Sequence, residues 1–471
     1  MAVKPCYVIG SGPNGLTAAI VLARAGLKVT VLEAEPCIGG GTRTEELTLP
    51  GFLHDVCSAV HPMAASSPAF ASFALDRHGL KWIEPPSALA HPFDDGSCLT
   101  VERSIDDTAA QFGAGGSLYR RIAMPLVEEW GRLVEEIFAP PHWPRHVLTL
   151  ARFGAIAAWP ATWVERACFR TAKSRAVFAG MAAHSIIPLQ TAGSGAFGWV
   201  VMLSAHAVGW PIARGGSQAI ANALASYFES LGGTILTSSP VKSLKDFEPD
   251  ALVLCDVTPR QFVQIAGDRI PDGYRRKLSR WRYGPGVFKI DWALKAPIPW
   301  KAAQCARAAT VHVGGSAVEI AAAERAPWEG KVHPRPFVLL AQPSLFDESR
   351  APAGKHTAWA YCHVPNGSDV DMTGAVESQI ERFAPGFRDC ILARHTMAAA
   401  GLSRHNANLV GGDITGGANT LRQVLMRPGG SFYRTPLAGV FICSASTPPG
   451  GGVHGMCGYH AASAALRWIG R

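Results

Sequence analysis

A glycine signature at the start of the chain constrains its fold more than any other feature. Cys6-Tyr7-Val8-Ile9 is a short apolar run of buried-strand type, and it meets Gly10-Ser11-Gly12-Pro13-Asn14-Gly15, a GxGxxG sequence. Leu16, Ala19, Ile20 and Ala23 follow at helical spacing, and Gly26 stands where a helix stops. Val29-Thr30-Val31-Leu32 reads as a second strand that ends at Glu33. Together these form one βαβ unit of roughly thirty residues. Gly10 permits the tight turn, Gly12 lets backbone approach a pyrophosphate, and Gly15 lets helix pack on strand. The helix N-terminus, with Pro13 and Asn14 in its first turn, offers N–H donors and a positive dipole end to phosphate. Glu33 is placed to accept ribose hydroxyls and would repel a 2'-phosphate, so NADP is disfavoured and NAD or FAD remains.

The continuation points to FAD. Ala34-Glu35-Pro36-Cys37-Ile38-Gly39-Gly40-Gly41-Thr42-Arg43 brings a second glycine cluster and an arginine just past the acid. Small residues there suit a second approach to the same pyrophosphate, with Arg43 supplying positive charge. Near the C-terminus, Gly439-Val440-Phe441-Ile442-Cys443 reads as a strand ended by Ser444-Ala445-Ser446-Thr447. Pro448-Pro449-Gly450-Gly451-Gly452-Val453-His454-Gly455 follows, then a helix through Ala461, Ala462, Ala464 and Leu466. Free N–H groups at such a turn suit the flavin N1–C2=O locus, where negative charge develops on reduction. Mid-chain, Gly215-Gly216-Ser217 starts a helix through Ile220, Ala223, Leu224, Tyr227 and Leu231. Thr234-Ile235-Leu236-Thr237 and Ala251-Leu252-Val253-Leu254-Cys255-Asp256 then read as further strands of the same wing.

With these elements the chain resembles the FAD-dependent phytoene desaturase and carotenoid oxidoreductase family, in the phytoene-dehydrogenase-like branch of the amine oxidase superfamily. The resemblance runs nearly end to end. It rests on residues 8–15, Gly39-Gly40-Gly41-Thr42-Arg43, Arg214-Gly215-Gly216-Ser217, Pro343-Ser344-Leu345-Phe346-Asp347, Gly411-Gly412-Asp413-Ile414 and the tail from Pro436 to Ala462. It implies that the Gly10 and Gly39 clusters with Arg43 hold the pyrophosphate and that Glu33 holds the adenosine ribose. It further implies that the backbone of Val241 meets the adenine and that Gly451-Gly452-Val453 faces the isoalloxazine. Ser444 and Ala445 fall at the ribityl and pyrophosphate contacts, although many relatives have Gly-Asp or Gly-Ser there. His454 stands where relatives often carry Thr, Pro or Met.

Flavin elements at both ends and in the middle require interleaved domains. The expected fold is α/β, a Rossmann-type FAD-binding domain (1–75, 200–265 and 405–471) interleaved with an α+β substrate domain (76–199 and 266–404). The chain of 471 residues, 48% hydrophobic, is long enough for both. Eleven scattered cysteines without a CxxC pair argue against a zinc or dithiol site and suit a reducing compartment. No signal peptide is evident, and no stretch approaches about 18 uninterrupted apolar residues, so the expected location is cytoplasmic. The span 147–169 mixes apolar residues with Trp159, Trp163, Arg152 and Arg166. That composition suits either an interfacial helix touching a membrane or a core helix. The charge of +8 comes without Lys/Arg runs interleaved with aromatics, so no nucleic-acid partner is expected.

Gly286-Val287-Phe288-Lys289-Ile290-Asp291-Trp292-Ala293-Leu294 alternates at period two, with Lys289 and Asp291 on one face and Phe288, Ile290 and Trp292 on the other. A half-exposed structural strand is the plain reading. Superfamily members of amine oxidase type use a lysine close to flavin N5, and Lys289 fits that place. His61 and His454 come from segments expected to border the flavin, so His454, Lys289 and His61 are the candidate catalytic residues. The expected activity is dehydrogenation of an apolar, isoprenoid- or carotenoid-like small molecule by hydride transfer to FAD, with oxygen or a quinone as electron acceptor. A flavin amine oxidase, a flavin-dependent isomerase without net redox and a non-catalytic FAD protein are the alternatives. No metal is expected, and no second GxGxxG is present for NAD(P)H.

Overall fold

The computed structural model describes residues 5–428 and 431–470. Its first sheet has five parallel strands in the order Val440–Ile442, Leu252–Cys255, Cys6–Ile9, Val29–Leu32, Thr234–Leu236. Both faces are covered, which is why the strands read as continuous apolar runs. Cys6, Val8, Leu252, Leu254 and Phe441 pack with the helices Pro13–Arg24, Gln218–Ser230 and Met456–Trp468. Ile9, Val253, Cys255, Val440 and Ile442 pack on the opposite side with Phe262, Ala266, Ile270 and Leu278. Because all five strands run the same way, Gly10, Glu33, Thr237, Asp256 and Cys443 emerge along one edge of the sheet, the edge where ligands bind in such folds.

The second sheet has seven strands in the order Ile391–Met397, Gly286–Leu294, His356–Val364, Val338–Ala341, Ala308–Val313, Ser87–Pro92, Cys98–Val101. Neighbours are antiparallel except the Ala308–Val313 and Ser87–Pro92 pair. Phe288, Ile290, Trp292, Leu340, Ala360 and Val364 lie in one core with Val376, Ile380 and Phe383 of the helix Thr373–Phe383. The other face looks toward the parallel sheet and a helical layer drawn from residues 105–207. An aromatic group of Phe112, Tyr119, Phe169, Phe178 and Trp199 fills that layer.

The strands of the parallel sheet lie within 1–75, 200–265 and 405–471, and those of the mixed sheet within 76–199 and 266–404. Two of those limits cut elements or cores. The helix Ser194–Ala207 runs through residue 200, and Ile270 and Leu278, beyond residue 265, belong to the core under the parallel sheet. The span 147–169 is two helices, Val147–Ala157 and Ala161–Cys168, bent by 97°. Pro160 breaks it, because proline disfavours helical backbone at the residue before it. Among the described residues no single helix is long and apolar enough to cross a membrane. The strand Gly286–Leu294 is buried on both faces, so the half-exposed reading of it fails.

Candidate active site

The first glycine loop is as tight as its sequence demands. Gly10 has φ +99°, and a Cβ at Gly15 would lie 2.0 Å from the Gly10 carbonyl oxygen. Gly12 caps the helix Pro13–Arg24 with no side-chain partner. The second cluster presses on the first. A Cβ at Gly40 would lie 3.2 Å from the Gly12 Cα, and the Gly39 amide donates to the Ser11 carbonyl at 3.1 Å. Thr42 closes this turn through its hydroxyl, which donates to the Gly39 carbonyl at 2.8 Å. Only backbone without side chains fits this junction, which is the requirement for a bound pyrophosphate.

Two acids flank the loop. Glu33 Oε2 accepts from the Ser11 amide (2.8 Å) and hydroxyl (2.5 Å), and Oε1 accepts from the Glu35 amide at 3.0 Å. A carboxylate has about four acceptor sites, so Glu33 has room for one further donor, and for a second only if Ser11 Oγ turns away. Arg43 lies 3.8 Å from Glu33, is 4% exposed, and its Nε has no hydrogen-bond partner. An unpaired buried guanidinium N–H beside a side-chain-free cradle fits the pyrophosphate of FAD. The second acid, Asp256, sequence reasoning passed over, although it ends its strand as Glu33 does. Its carboxylate accepts the Gly15 amide at 2.9 Å, so that donor is already engaged. Burial, with Glu33 adding to it, pushes the Asp256 carboxyl up to about 7.

Ser239 donates its amide to the Glu33 carbonyl at 2.7 Å, which brings the segment before Val241 alongside the acid. Val241 itself is partly buried against the core beneath the sheet, and Ala34 is exposed. At the C-terminal strand, Ser444 is buried and the Ala445 carbonyl accepts Arg427 Nη1 at 2.7 Å. Arg427, 1% exposed, also donates to Asn419 and lies against the Gly450 backbone; it too went unread in the sequence. Gly451 and Gly452 are exposed and Val453 is half-buried. A Cβ at Gly451 would lie 2.9 Å from the Thr415 backbone, so that turn also depends on glycine.

The three catalytic candidates occupy separate surroundings, and no hydrogen bond or ion pair joins them among the described residues. His454 Nδ1 accepts the Met456 amide at 3.0 Å, and its carbonyl accepts the Ser67 hydroxyl at 2.6 Å. Its ring stands 5.1 Å from Phe138, and burial pushes its pKa down to about 4. His61 Nε2 pairs with Ser217 Oγ at 2.9 Å, and burial likewise pushes it down to about 4. Lys289 is buried and ion-paired with Asp291. His54 and His395 flank that pair, 3.7 and 3.6 Å from the Asp291 oxygens.

A second network, from distant parts of the chain, fixes the segment 54–61. Asp55 accepts Arg350 Nη2, the Ser217 amide and the Thr44 hydroxyl, each at 2.8 Å. Burial pushes its carboxyl up, but Arg350 and the Ser217 amide outweigh that and leave it below the usual range. The Gly215-Gly216-Ser217 turn is also pinned by Asp347, which accepts the Gly215 amide at 2.7 Å. The sheet register places Lys289 opposite Tyr361 and Asp291 opposite Trp359, on one face. Trp359 and Tyr361 meet Ala59 and Ala341 there. Ala59 follows Ser58, which donates its amide and hydroxyl to the Gly41 carbonyl at 3.3 and 3.1 Å. The aromatic face of the mixed sheet thus meets the glycine clusters of the parallel one through residues 57–59.

Comparison with known proteins agrees with this arrangement. The profile of the flavin containing amine oxidoreductases matches residues 14–270. The mouse pyridine nucleotide-disulfide oxidoreductase domain-containing protein 2 is 26% identical, over 98% of this chain and 94% of its own. Phytoene dehydrogenase of Streptomyces griseus is 25% identical over 86% of this chain and 81% of its own. Among solved structures, a putrescine oxidase variant superposes with a TM-score of 0.63 at 16% identity, covering 99% of both chains, a likeness of fold.

Proposed function

The chain belongs to the flavin containing amine oxidoreductase family, and on that premise we propose that this FAD-dependent oxidoreductase dehydrogenates a small molecule with an apolar body. The observation that carries this reading is the wall formed by Trp359, Tyr361, Ala59 and Ala341 where the two sheets meet. In this reading the Gly10 and Gly39 clusters and Arg43 hold the pyrophosphate. Glu33 binds the ribose, Val241 lies by the adenine, and Ser444, Ala445 and residues 451–453 line the flavin. Bound FAD supplies the two-electron acceptor for a hydride. The protein orients the substrate and excludes water.

A general base works best with a pKa near the operating pH. His61 and His454, at about 4, are weak bases near neutrality. Lys289 is tied to Asp291. These three therefore act as positioning groups in our reading. Oxygen or a quinone reoxidises the flavin.

We assign the protein to the cytoplasmic compartment with peripheral contact to a bilayer. Trp143 (93% exposed), Leu148 (80%), Val147, Trp159 and Trp163 stand out from the bent helix pair and the loop before it. Arg145, Arg152, Arg166 and Arg170 are exposed around them. Aromatic and aliphatic side chains ringed by arginine suit the interface of an anionic membrane.

One observation favours a second reading, an amine oxidase. The rings of Trp359 and Tyr361 stand 5.1 Å apart at 78°, in edge-to-face contact, and together offer an aromatic surface against which an ammonium group can rest. Anaerobic titration of the oxidised holoenzyme separates the two. Bleaching of the flavin band by an isoprenoid or polyene, and not by amines, supports the first reading. Bleaching by amines alone overturns it in favour of the second. Bleaching by neither class argues against net dehydrogenation.

A further inference from the structure

On the same sheet face, one step beyond Tyr361, lies a polar pair that neither the cofactor nor the candidates above use. His363 and Glu324 are 5% and 2% exposed, and His363 Nδ1 sits 2.9 and 2.8 Å from the two Glu324 oxygens. A carboxylate only accepts, so Nδ1–H donates to it, and in the neutral ring Nε2 keeps its lone pair. That Nε2 is buried and has no hydrogen-bond partner. Register puts His363, Tyr361 and Trp359 in a row along one strand, and Tyr361, Leu339 and His312 in a row across three. The His363 and Tyr361 rings are 5.6 Å apart. The nearby His184 is bonded to His312 at 3.1 Å. A buried ring nitrogen oriented by a carboxylate and left unpaired is a site awaiting a partner, and in the neutral ring that partner is a donor.

We propose that the Glu324–His363 pair is the polar anchor of the substrate site, binding a hydroxyl or amine group at one end of a substrate whose apolar body lies along Tyr361 and Trp359. This rests on the dehydrogenase reading for the place of the substrate and adds its chemical class. The pair selects donor-bearing molecules over hydrocarbons, because a hydrocarbon leaves Nε2 unpaired and dry. Sites built to bond a substrate hydroxyl or amine reject analogues lacking it by factors far above those of a shape-selective pocket.

The test uses the FAD-loaded full-length protein and four probes that share the 3-methylbut-2-enyl frame. These are 3-methylbut-2-en-1-ol, 3-methylbut-2-enylamine, the hydrocarbon 2-methylpent-2-ene, and 3-methylbut-2-enoate, which carries acceptors only. Binding is read from tryptophan fluorescence and from perturbation of the flavin spectrum, without turnover. The wild type is expected to bind the alcohol or the amine at least about tenfold tighter than the hydrocarbon and the carboxylate. Which of the two wins distinguishes the hydroxyl from the amine. His363→Leu should lose that preference, and Glu324→Gln, whose amide oxygen still accepts from Nδ1, should keep it, while hydrocarbon affinity and flavin content hold in both. Equal binding of all four, binding of none, tighter binding of the carboxylate, or retained preference in a folded His363→Leu variant would overturn the anchor. Intact probe preference with no flavin bleaching by any substrate would instead sink the dehydrogenase reading and leave the anchor standing.

Discussion

Replacing Asp256 by Asn tests how the flavin loop is held. The carboxyl is buried against the backbone of Gly10, Gly12 and Gly15, with Glu33 close enough to repel it. Its pKa therefore rises from 3.8 to about 7. Below pH 4 both the folded and unfolded chains carry the proton, and the wild type keeps its full stability. Between pH 4 and 7 only the folded chain carries it, so stability falls as pH rises, by about 1.4 kcal/mol per pH unit. Above pH 7 the loss levels off at about 4 kcal/mol, an upper bound of the right order. Asn keeps the acceptor for the Gly15 amide and cannot ionise. Equilibrium unfolding of apo-protein from pH 4.5 to 8 should show Asp256→Asn gaining on the wild type across that range, then holding a constant advantage. FAD affinity, read from flavin fluorescence, should weaken above about pH 7 in the wild type, as an ionised Asp256 faces the pyrophosphate, and stay flat in the variant. Parallel stability curves and parallel affinities would refute the reasoning. They would mean that Asp256 is ionised at every working pH and held so by the Gly15 amide.

Gly15→Ala drives a methyl group to 2.0 Å from the Gly10 carbonyl. The helix must move off the strand, at a cost of about 1–3 kcal/mol or more, and flavin should be lost on desalting. Lys289→Met leaves Asp291 buried without its partner and should cost about 3–5 kcal/mol. Lys289→Met/Asp291→Leu should recover much of that in thermal unfolding if the pair contributes structure rather than flavin chemistry. Leu148→Glu/Trp163→Glu alters two exposed positions. It should abolish co-flotation with anionic vesicles while leaving flavin content unchanged, and unchanged flotation would remove the membrane contact.

Local chemistry was legible in the sequence. Gly10, Gly12 and Gly15 must be glycine because a helix, a strand and a ligand converge within one turn, and that need is written in adjacent residues. The period-two alternation at residues 286–294 likewise put Lys289 and Asp291 on the face opposite Phe288 and Ile290, as the structure does. What it hid was long-range. Asp55 meets Arg350 across 295 positions, and Glu324 meets His363 across 39. No spacing announces such pairs, since only tertiary packing of separate segments brings them together. Asp256 is the one miss with a readable signal: an acid ending a parallel strand beside a glycine loop. For the histidines, sequence gives residue type but not burial, and burial is what makes His61 and His454 weak bases.

The most direct test of the account is the flavin itself. Purified protein should carry an oxidised-flavin visible spectrum through desalting, and acid or heat denaturation should release an equimolar amount of FAD, not FMN, into the supernatant. Protein that arrives colourless and takes up no FAD on reconstitution, or that retains its flavin covalently after denaturation, would contradict the account at its root.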